Sequence, residues 1–104
     1  MLFKKMVSEN VRYGRISWKR HALERILERN ILRKDVTDVL QNGEVIEEYP
    51  DDHPFPSILI YGKSDEKPLH VVVSIDTVNK WCYIITVYRP DLKHFESDYK
   101  TRKK

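Results

Sequence analysis

The chain has 104 residues, of which 40% are hydrophobic and 34% charged, and its formal net charge is +3. This composition fits one folded domain over residues 1–104 and is too apolar for a disordered chain. Its single cysteine, Cys82, excludes a disulfide framework and a cysteine-built zinc site, and no apolar run could span a membrane, so we expect a cytoplasmic protein without membrane contact or cofactor.

The N-terminal segment, residues 1–16, is basic and only weakly patterned. Apolar and polar residues alternate from Val11 to Ile16, which allows a short edge strand, although Gly14 weakens that interpretation. Ser17 has the side chain of a good N-cap, so a helix is expected to begin directly after it.

Two helices are predicted next. The first carries an apolar stripe with helical spacing and ends near Asn30, a residue type that tolerates the left-handed conformation. The second runs from about Arg33 to Asn42 and stops at Gly43. The stripe of the first helix consists of Leu23, Ile26 and Leu27.

After Gly43 the apolar period changes from helical to two, which is typical of strands. The predicted strands are residues 45–49, 57–61, 69–76 and 81–88. A short helical or irregular segment follows from Pro90, and residues 97–104 form a basic tail. We therefore predict an α+β fold, with two helices on one face of a four-stranded antiparallel sheet and the other face free.

Charge is segregated along the sequence. Residues 1–34 carry ten Lys or Arg against three Glu, residues 35–68 carry two against nine acidic residues, and the remainder carries seven against four. A basic segment of this kind points to a polyanionic partner. The alternative is that the basic helix packs beside the acidic middle of the chain, so that the charges cancel in space.

The first predicted helix carries a row of cationic and titratable groups. His21, Arg25 and Arg29 follow one another at steps of four, which places them on one helical face. We call this set the basic row. Like charges so placed repel one another by a few tenths of a kcal/mol, roughly, unless an anion lies over them. The spacing therefore favours phosphate as a ligand.

The same residues resemble a known family. The HAxxRxxxR helix from His21 to Arg29, the PLHVVV strand beginning at Pro68 and the TVY end of the last strand are similar to small prokaryotic domains classed as domain of unknown function 4258. That family is grouped with RelE-like and barnase-like ribonuclease toxins. The resemblance implies a RelE-like α+β fold, the toxin role in a type II toxin–antitoxin pair, RNA as target and an antitoxin protein as partner.

The residues offer a route to metal-independent RNA cleavage. Such a reaction needs a base for the 2′-hydroxyl, cations for the phosphorane and an acid for the departing 5′-oxygen. We assign proton transfer to His21, phosphate binding to Arg25 and Arg29, and a catalytic hydroxyl to Tyr88. The predicted substrate-binding residues are Lys19, Arg20, His70 and Thr86.

Ordinary structural roles compete with these assignments. Glu24 and Glu28 lie on the adjacent helical row and could turn the helix into a solvated ion-pair face. The orientation of His70 depends on the turn at residues 77–80. Two or four residues in that turn would place His70 opposite Thr86 and Tyr88, and three or five would place it with them.

Two functions follow from this reasoning. The first is an endoribonuclease toxin held in check by an antitoxin, acting on RNA alone or on the ribosome. The second is a non-catalytic module that binds RNA or protein through the basic row. A structural or oligomerising protein, such as a homodimer, is favoured only if Glu44, Glu47 and Glu48 neutralise the row.

Overall fold

The structure, a computed structural model, describes residues 2–104. Within that range the chain forms three helices and five strands. These are α1 (Leu2–Arg12), β1 (Ile16–Trp18), α2 (Arg20–Glu28), α3 (Arg33–Asn42), β2 (Glu44–Tyr49), β3 (Ser57–Ser64), β4 (Lys67–Asp76) and β5 (Trp81–Tyr88). The longest helix has 11 residues, and no helix of the described range has the length and apolar character needed to cross a membrane.

The five strands form one mixed sheet in the order β1-β5-β4-β3-β2. β1 pairs with β5 in parallel, and every other pair is antiparallel. The prediction of a four-stranded antiparallel sheet with two helices is therefore wrong in strand number, strand direction and helix number. β1 escaped detection because three residues are too few to display a strand period, and its partner lies at the far end of the chain.

The helix α1 replaces the short edge strand expected near Val11. Phe3, Met6 and Val7 follow helical spacing, and Val7 is fully buried in the core shared with the other two helices. Asn10 Nδ2 donates a 3.3 Å hydrogen bond to the Cys82 sulfur, which joins α1 to β5. The helix ends at Arg12 and is followed by a turn at Gly14, whose φ of +72° suits glycine.

Ser17 lies in β1 and not at a helix start, so the predicted N-cap is wrong. The backbone N–H of Lys19, the residue preceding α2, instead donates to the Ile84 carbonyl at 3.2 Å. Pairing with β5 has overridden the local preference of serine for a cap. The bounds of α3 are those predicted, and Asn30 adopts the predicted left-handed conformation with φ of 55°.

The four predicted strands are present, and β3 and β4 extend further than expected. They meet at a two-residue turn formed by Asp65 and Glu66, both with positive φ. All three helices pack on one face of the sheet and form a shared core with it. Representative buried members are Val7, Ala22, Ile26, Val36, Leu40, Ile58, Ile60, Val71, Val73, Ile84 and Val87.

The C-terminal strap, residues 90–104, contains turns and no helix. Of the two forms expected after Pro90, the irregular one is therefore present and the helical one is wrong. Its backbone doubles back through a bridge between Phe95 and Arg102. Phe95 is 2% exposed and packs on His70, which lies on the face of the sheet away from the helices. That face is therefore partly covered, and not free as predicted.

Candidate functional site

The basic row lies on the outer side of α2. His21 is exposed, and the Arg25 side chain folds back so that its Nε donates to His21 Nε2 at 3.3 Å. In this bond Nε2 of the imidazole is the acceptor and the guanidinium is the donor. The first two members of the row therefore form one unit, with a potential base directly beside a guanidinium.

Glutamates accompany the row, as the competing interpretation suggested. Arg20 pairs with Glu24 at 3.2 Å and Arg25 with Glu28 at 3.4 Å, and all four side chains are substantially exposed. Such exposed pairs contribute about 0.3–0.5 kcal/mol each and open readily to another anion. Six Lys or Arg still stand against two Glu between residues 19 and 34, so this region remains cationic.

Arg29 connects the row to the sheet. Its Nη1 donates to the Val87 carbonyl at 3.0 Å, at the part of β5 that extends beyond its pairing with β1. A neutral carbonyl does not cancel the charge of the guanidinium. Arg29 thus fixes the end of α2 against the last strand and leaves a cation there.

Tyr88 follows Val87 but faces the other side of the sheet. There it lies opposite His70, with 5.2 Å between the ring centroids, and Thr86 is on the same face opposite Val72. The turn at residues 77–80 has four residues, which by itself would have separated His70 from Tyr88. A bulge at Ile85 adds one residue to β5 and so reverses the parity.

His70 is fully buried and has both ring nitrogens engaged. Nε2 is 2.6 Å from the Tyr99 carbonyl and must donate to it, so Nδ1 accepts from the Tyr88 hydroxyl at 3.1 Å. Burial lowers the pKa of His70 and raises that of Tyr88. Among the predicted site residues, the structure brings together His21 with Arg25 and His70 with Tyr88, on different faces.

Most of the residues described above lie within a region that matches a known protein family. The model of a domain of unknown function, DUF4258, matches residues 18–89. The chain belongs to the DUF4258 family. No curated protein and no solved structure matches it. The match takes in the basic row, His70, Thr86 and Tyr88, whereas α1 and the whole C-terminal strap lie outside the DUF4258 region.

Beyond the DUF4258 region, the strap binds acidic residues of β2. Arg102 Nε lies 2.7 Å from a Glu47 oxygen, Tyr49 donates to the same carboxylate, and Lys100 lies 3.0 Å from Glu44. These contacts raise the pKa of Arg102 and of Lys100. Glu44 and Glu47 therefore pair with the strap, and no ion pair within residues 2–104 joins Glu48 to the basic row. The condition that favoured a structural or oligomerising protein is not met.

Two aromatic residues near the start of α2 were missed by sequence reasoning. The rings of Phe55 and Tyr83 are parallel, and the Lys19 ammonium lies 5.2 Å from the centre of the Tyr83 ring. The position of Phe55 between two prolines gave no signal of this contact, because the pairing depends on the loop folding back over β5. The alternation of Trp81 and Tyr83 in β5 was visible but is equally typical of core packing.

Burial of His70 predicts a pH dependence of stability. Its pKa in the folded state lies below the ordinary value of 6.5, so the unfolded chain binds the proton first as the pH falls. The contribution of neutral, buried His70 to the free energy of unfolding is complete above about pH 6.5. It is lost as the pH falls through the folded-state pKa. We expect urea denaturation to show a steeper loss of stability from pH 7.5 to 5.5 in the wild type than in His70→Gln.

The matched control for this experiment is His53→Gln, which removes an exposed imidazole from the β2–β3 loop. It should keep the slope of the wild type. Equal slopes for His70→Gln and the wild type would contradict the assignment of the pH dependence to His70.

Proposed function

We propose that this DUF4258 domain binds RNA, with the phosphates lying along the basic row. The observation that carries the proposal is the exposed contact between Arg25 and His21, within a surface that stays cationic although two glutamates lie beside it. Arginine binds phosphate oxygens with two parallel hydrogen bonds, and Lys19 and Arg20 extend the row at its start.

The pairing of β2 with the strap supports this proposal. If Glu44 and Glu47 covered the row, an RNA would have to displace buried or networked ion pairs. They are instead held by Lys100 and Arg102. The carboxylates next to the row, Glu24 and Glu28, sit in exposed pairs that a phosphate can replace at small cost.

Cleavage of the bound RNA is the second candidate function, and the position of His21 Nε2 beside a guanidinium favours it. When Arg25 turns to a phosphate, Nε2 is free to take the proton of the 2′-hydroxyl. The 2′-oxygen then bonds to phosphorus, the bond to the 5′-oxygen breaks, and water protonates the leaving oxygen. The products are a 2′,3′-cyclic phosphate and a 5′-hydroxyl, the chemistry of an endoribonuclease toxin.

Tyr88 lies on the opposite face of the sheet from α2, where its hydroxyl donates to His70, so this scheme gives it no role. We therefore assign the proton transfer to His21 in this proposal, with Arg25 and Arg29 stabilising the phosphorane. In a toxin–antitoxin pair, an acidic segment of the antitoxin would compete with RNA for the same row.

RNA binding is tested by fluorescence anisotropy with a labelled single-stranded RNA decamer. We expect Arg25→Ala to weaken binding about tenfold and to reduce the salt slope by about 0.7, the loss of one phosphate contact. Lys93→Ala removes an exposed cation from the strap and should change the affinity less than twofold. Equal losses of RNA affinity in the two variants would contradict specific binding by the basic row. Absence of RNA binding by the wild type would exclude the proposal.

Cleavage is tested by incubating RNA in EDTA with the wild type and with His21→Ala. Fragments ending in 2′,3′-cyclic phosphate with the wild type alone would support the ribonuclease. We expect the affinity of His21→Ala to remain within about threefold of the wild type, because its phosphate-binding arginines are intact. Intact RNA in both reactions, with and without ribosomes, would leave RNA binding as the function.

A further inference from the structure

A small groove lies beside the start of α2, on the face of the sheet away from the helices. It has a volume of about 210 Å³. Its walls are Lys19, Pro54, Phe55, Ser74, Tyr83 and Ile85. Sites that enclose whole drug-sized ligands are usually about 300–1,000 Å³, so this groove suits a single small ring.

Aromatic surface dominates the chemistry of the groove. The Phe55 and Tyr83 rings are parallel to within 2°, with 5.7 Å between their centroids, and both residues are half-buried. The Lys19 ammonium lies 5.2 Å from the centre of the Tyr83 ring, in range for a cation–π contact. A flat ring that stacks here would meet an aromatic face and lie close to a positive charge.

The bulge in β5 helps to form the groove. Ile84 pairs with Val73 and Thr86 with Val72, which leaves Ile85 outside the ladder. Its side chain lines the groove instead of continuing the regular alternation of the strand. The Ser74 hydroxyl in the groove is already hydrogen-bonded to the Ser57 hydroxyl at 2.9 Å. A ring that enters the groove therefore removes water from few polar groups that lack a protein partner.

We propose that this groove binds one unstacked base of a single-stranded RNA. The inference rests on the proposed RNA binding and adds a specificity element to it. Lys19 belongs to the groove and directly precedes Arg20 and His21, so a base in the groove and a phosphate on the basic row can belong to the same strand. Stacking on an aromatic side chain is how proteins commonly hold bases of single strands.

Charge argues for RNA over a protein segment as the occupant. An aromatic side chain of a partner protein would also stack on Tyr83, but it carries no anionic group of its own for the cations that continue along α2 from Lys19. A nucleotide uses both features, because its base is flat and its phosphate is anionic. The groove and the basic row together therefore match a nucleotide.

The test compares two decamers of equal charge by anisotropy, one of uridylates and one of abasic ribose phosphates. We expect the wild type to bind the uridylate decamer about 5- to 150-fold more tightly, which corresponds to one stacked base. Tyr83→Ala should abolish this preference while leaving binding of the abasic decamer unchanged, and Tyr83→Phe should retain it. Tyr13→Ala, which removes an exposed tyrosine from the end of α1, is the matched control.

Phe55→Ala provides a second variant, in a loop and outside the sheet, in case Tyr83→Ala does not fold. Like Tyr83→Ala, it should lower the preference for the uridylate decamer over the abasic decamer. Equal binding of both decamers by the wild type, or a full preference in the Tyr83→Ala and Phe55→Ala variants, would overturn the inference. If the inference failed in this way but Arg25→Ala still weakened binding, RNA binding by the basic row would stand without a base-binding groove. If the wild type bound neither decamer, both the proposed function and this inference would be excluded.

Discussion

Replacing Phe95 by alanine is expected to lower the free energy of unfolding by about 3–5 kcal/mol, the cost of removing a buried phenyl ring. Phe95 is the only residue of the strap among the buried hydrophobic residues of the described chain. Its ring lies 4.6 Å from the His70 ring and 5.0 Å from the Arg102 guanidinium, measured between centres. Loss of the ring leaves a cavity over His70 and loosens the strap, so equilibrium denaturation in urea should show the effect.

The control is Leu92→Ala, in the same segment. Leu92 is 49% exposed, and its truncation should cost less than about 1 kcal/mol. A Phe95→Leu variant should fall between the two. A loss below about 1 kcal/mol for Phe95→Ala would contradict the docking of the strap, because a strap that adds nothing to stability cannot keep His70 buried.

Gly43→Ala is expected to destabilise the fold by about 3 kcal/mol, near the upper end of the usual cost of overpacking. A Cβ at this position would lie 2.5 Å from both the Tyr61 and the Val39 carbonyl oxygens. These are backbone atoms of β3 and α3, so no side-chain rotation relieves the clash. Since α3 must separate from β3 to make room, the midpoint of urea denaturation should shift strongly.

Gly14→Ala separates this steric effect from backbone preference. Gly14 has φ of +72° but no atom within 4 Å of an added Cβ, so alanine there costs about 1–2 kcal/mol through conformation alone. The backbone of Gly43 has an ordinary φ of −78°, which alanine adopts without strain. A smaller loss for Gly43→Ala than for Gly14→Ala would contradict the close packing of α3 on β3.

Local signals in the sequence predicted the middle of the fold well. The limits of α3, the left-handed Asn30 and the four strands after Gly43 follow from spacing and from residues with strong backbone preferences. The stop at Gly43 was also correct, but for a different reason. Gly43 has an extended backbone, and glycine is required there by the closeness of β3 and not by its own backbone conformation.

The N-terminal elements could not be predicted as securely. The helical spacing of Phe3, Met6 and Val7 was present in the sequence, but the lysines between them and the nearby Gly14 obscured it. β1 is defined by hydrogen bonds to β5 and has no period of its own. A three-residue strand is stabilised by its partner, which lies outside any local window of sequence.

In the candidate site, too, contacts set by local sequence were predictable and contacts set by distant segments were not. The contact of Arg25 with His21 follows directly from their spacing on one helix. The pairing of His70 with Tyr88 depends on the bulge at Ile85, which no turn-length rule contains. The groove around Tyr83 and the burial of His70 depend on a loop and a strap that fold back over the sheet. Catalysis by His21 and Tyr88, and the substrate contacts of Thr86, stay predictions.

The parallel pairing of β1 with β5 has a consequence for the order of folding during synthesis. The ribosome makes α1 and β1 before their partner strand, residues 81–88, which follows more than 60 residues later. Until then Val7 and its neighbours lack part of the surface on which they pack. Until β5 is made, the apolar stripe of α1 therefore stays partly uncovered, and a chain terminated before β5 would expose that stripe to aggregation.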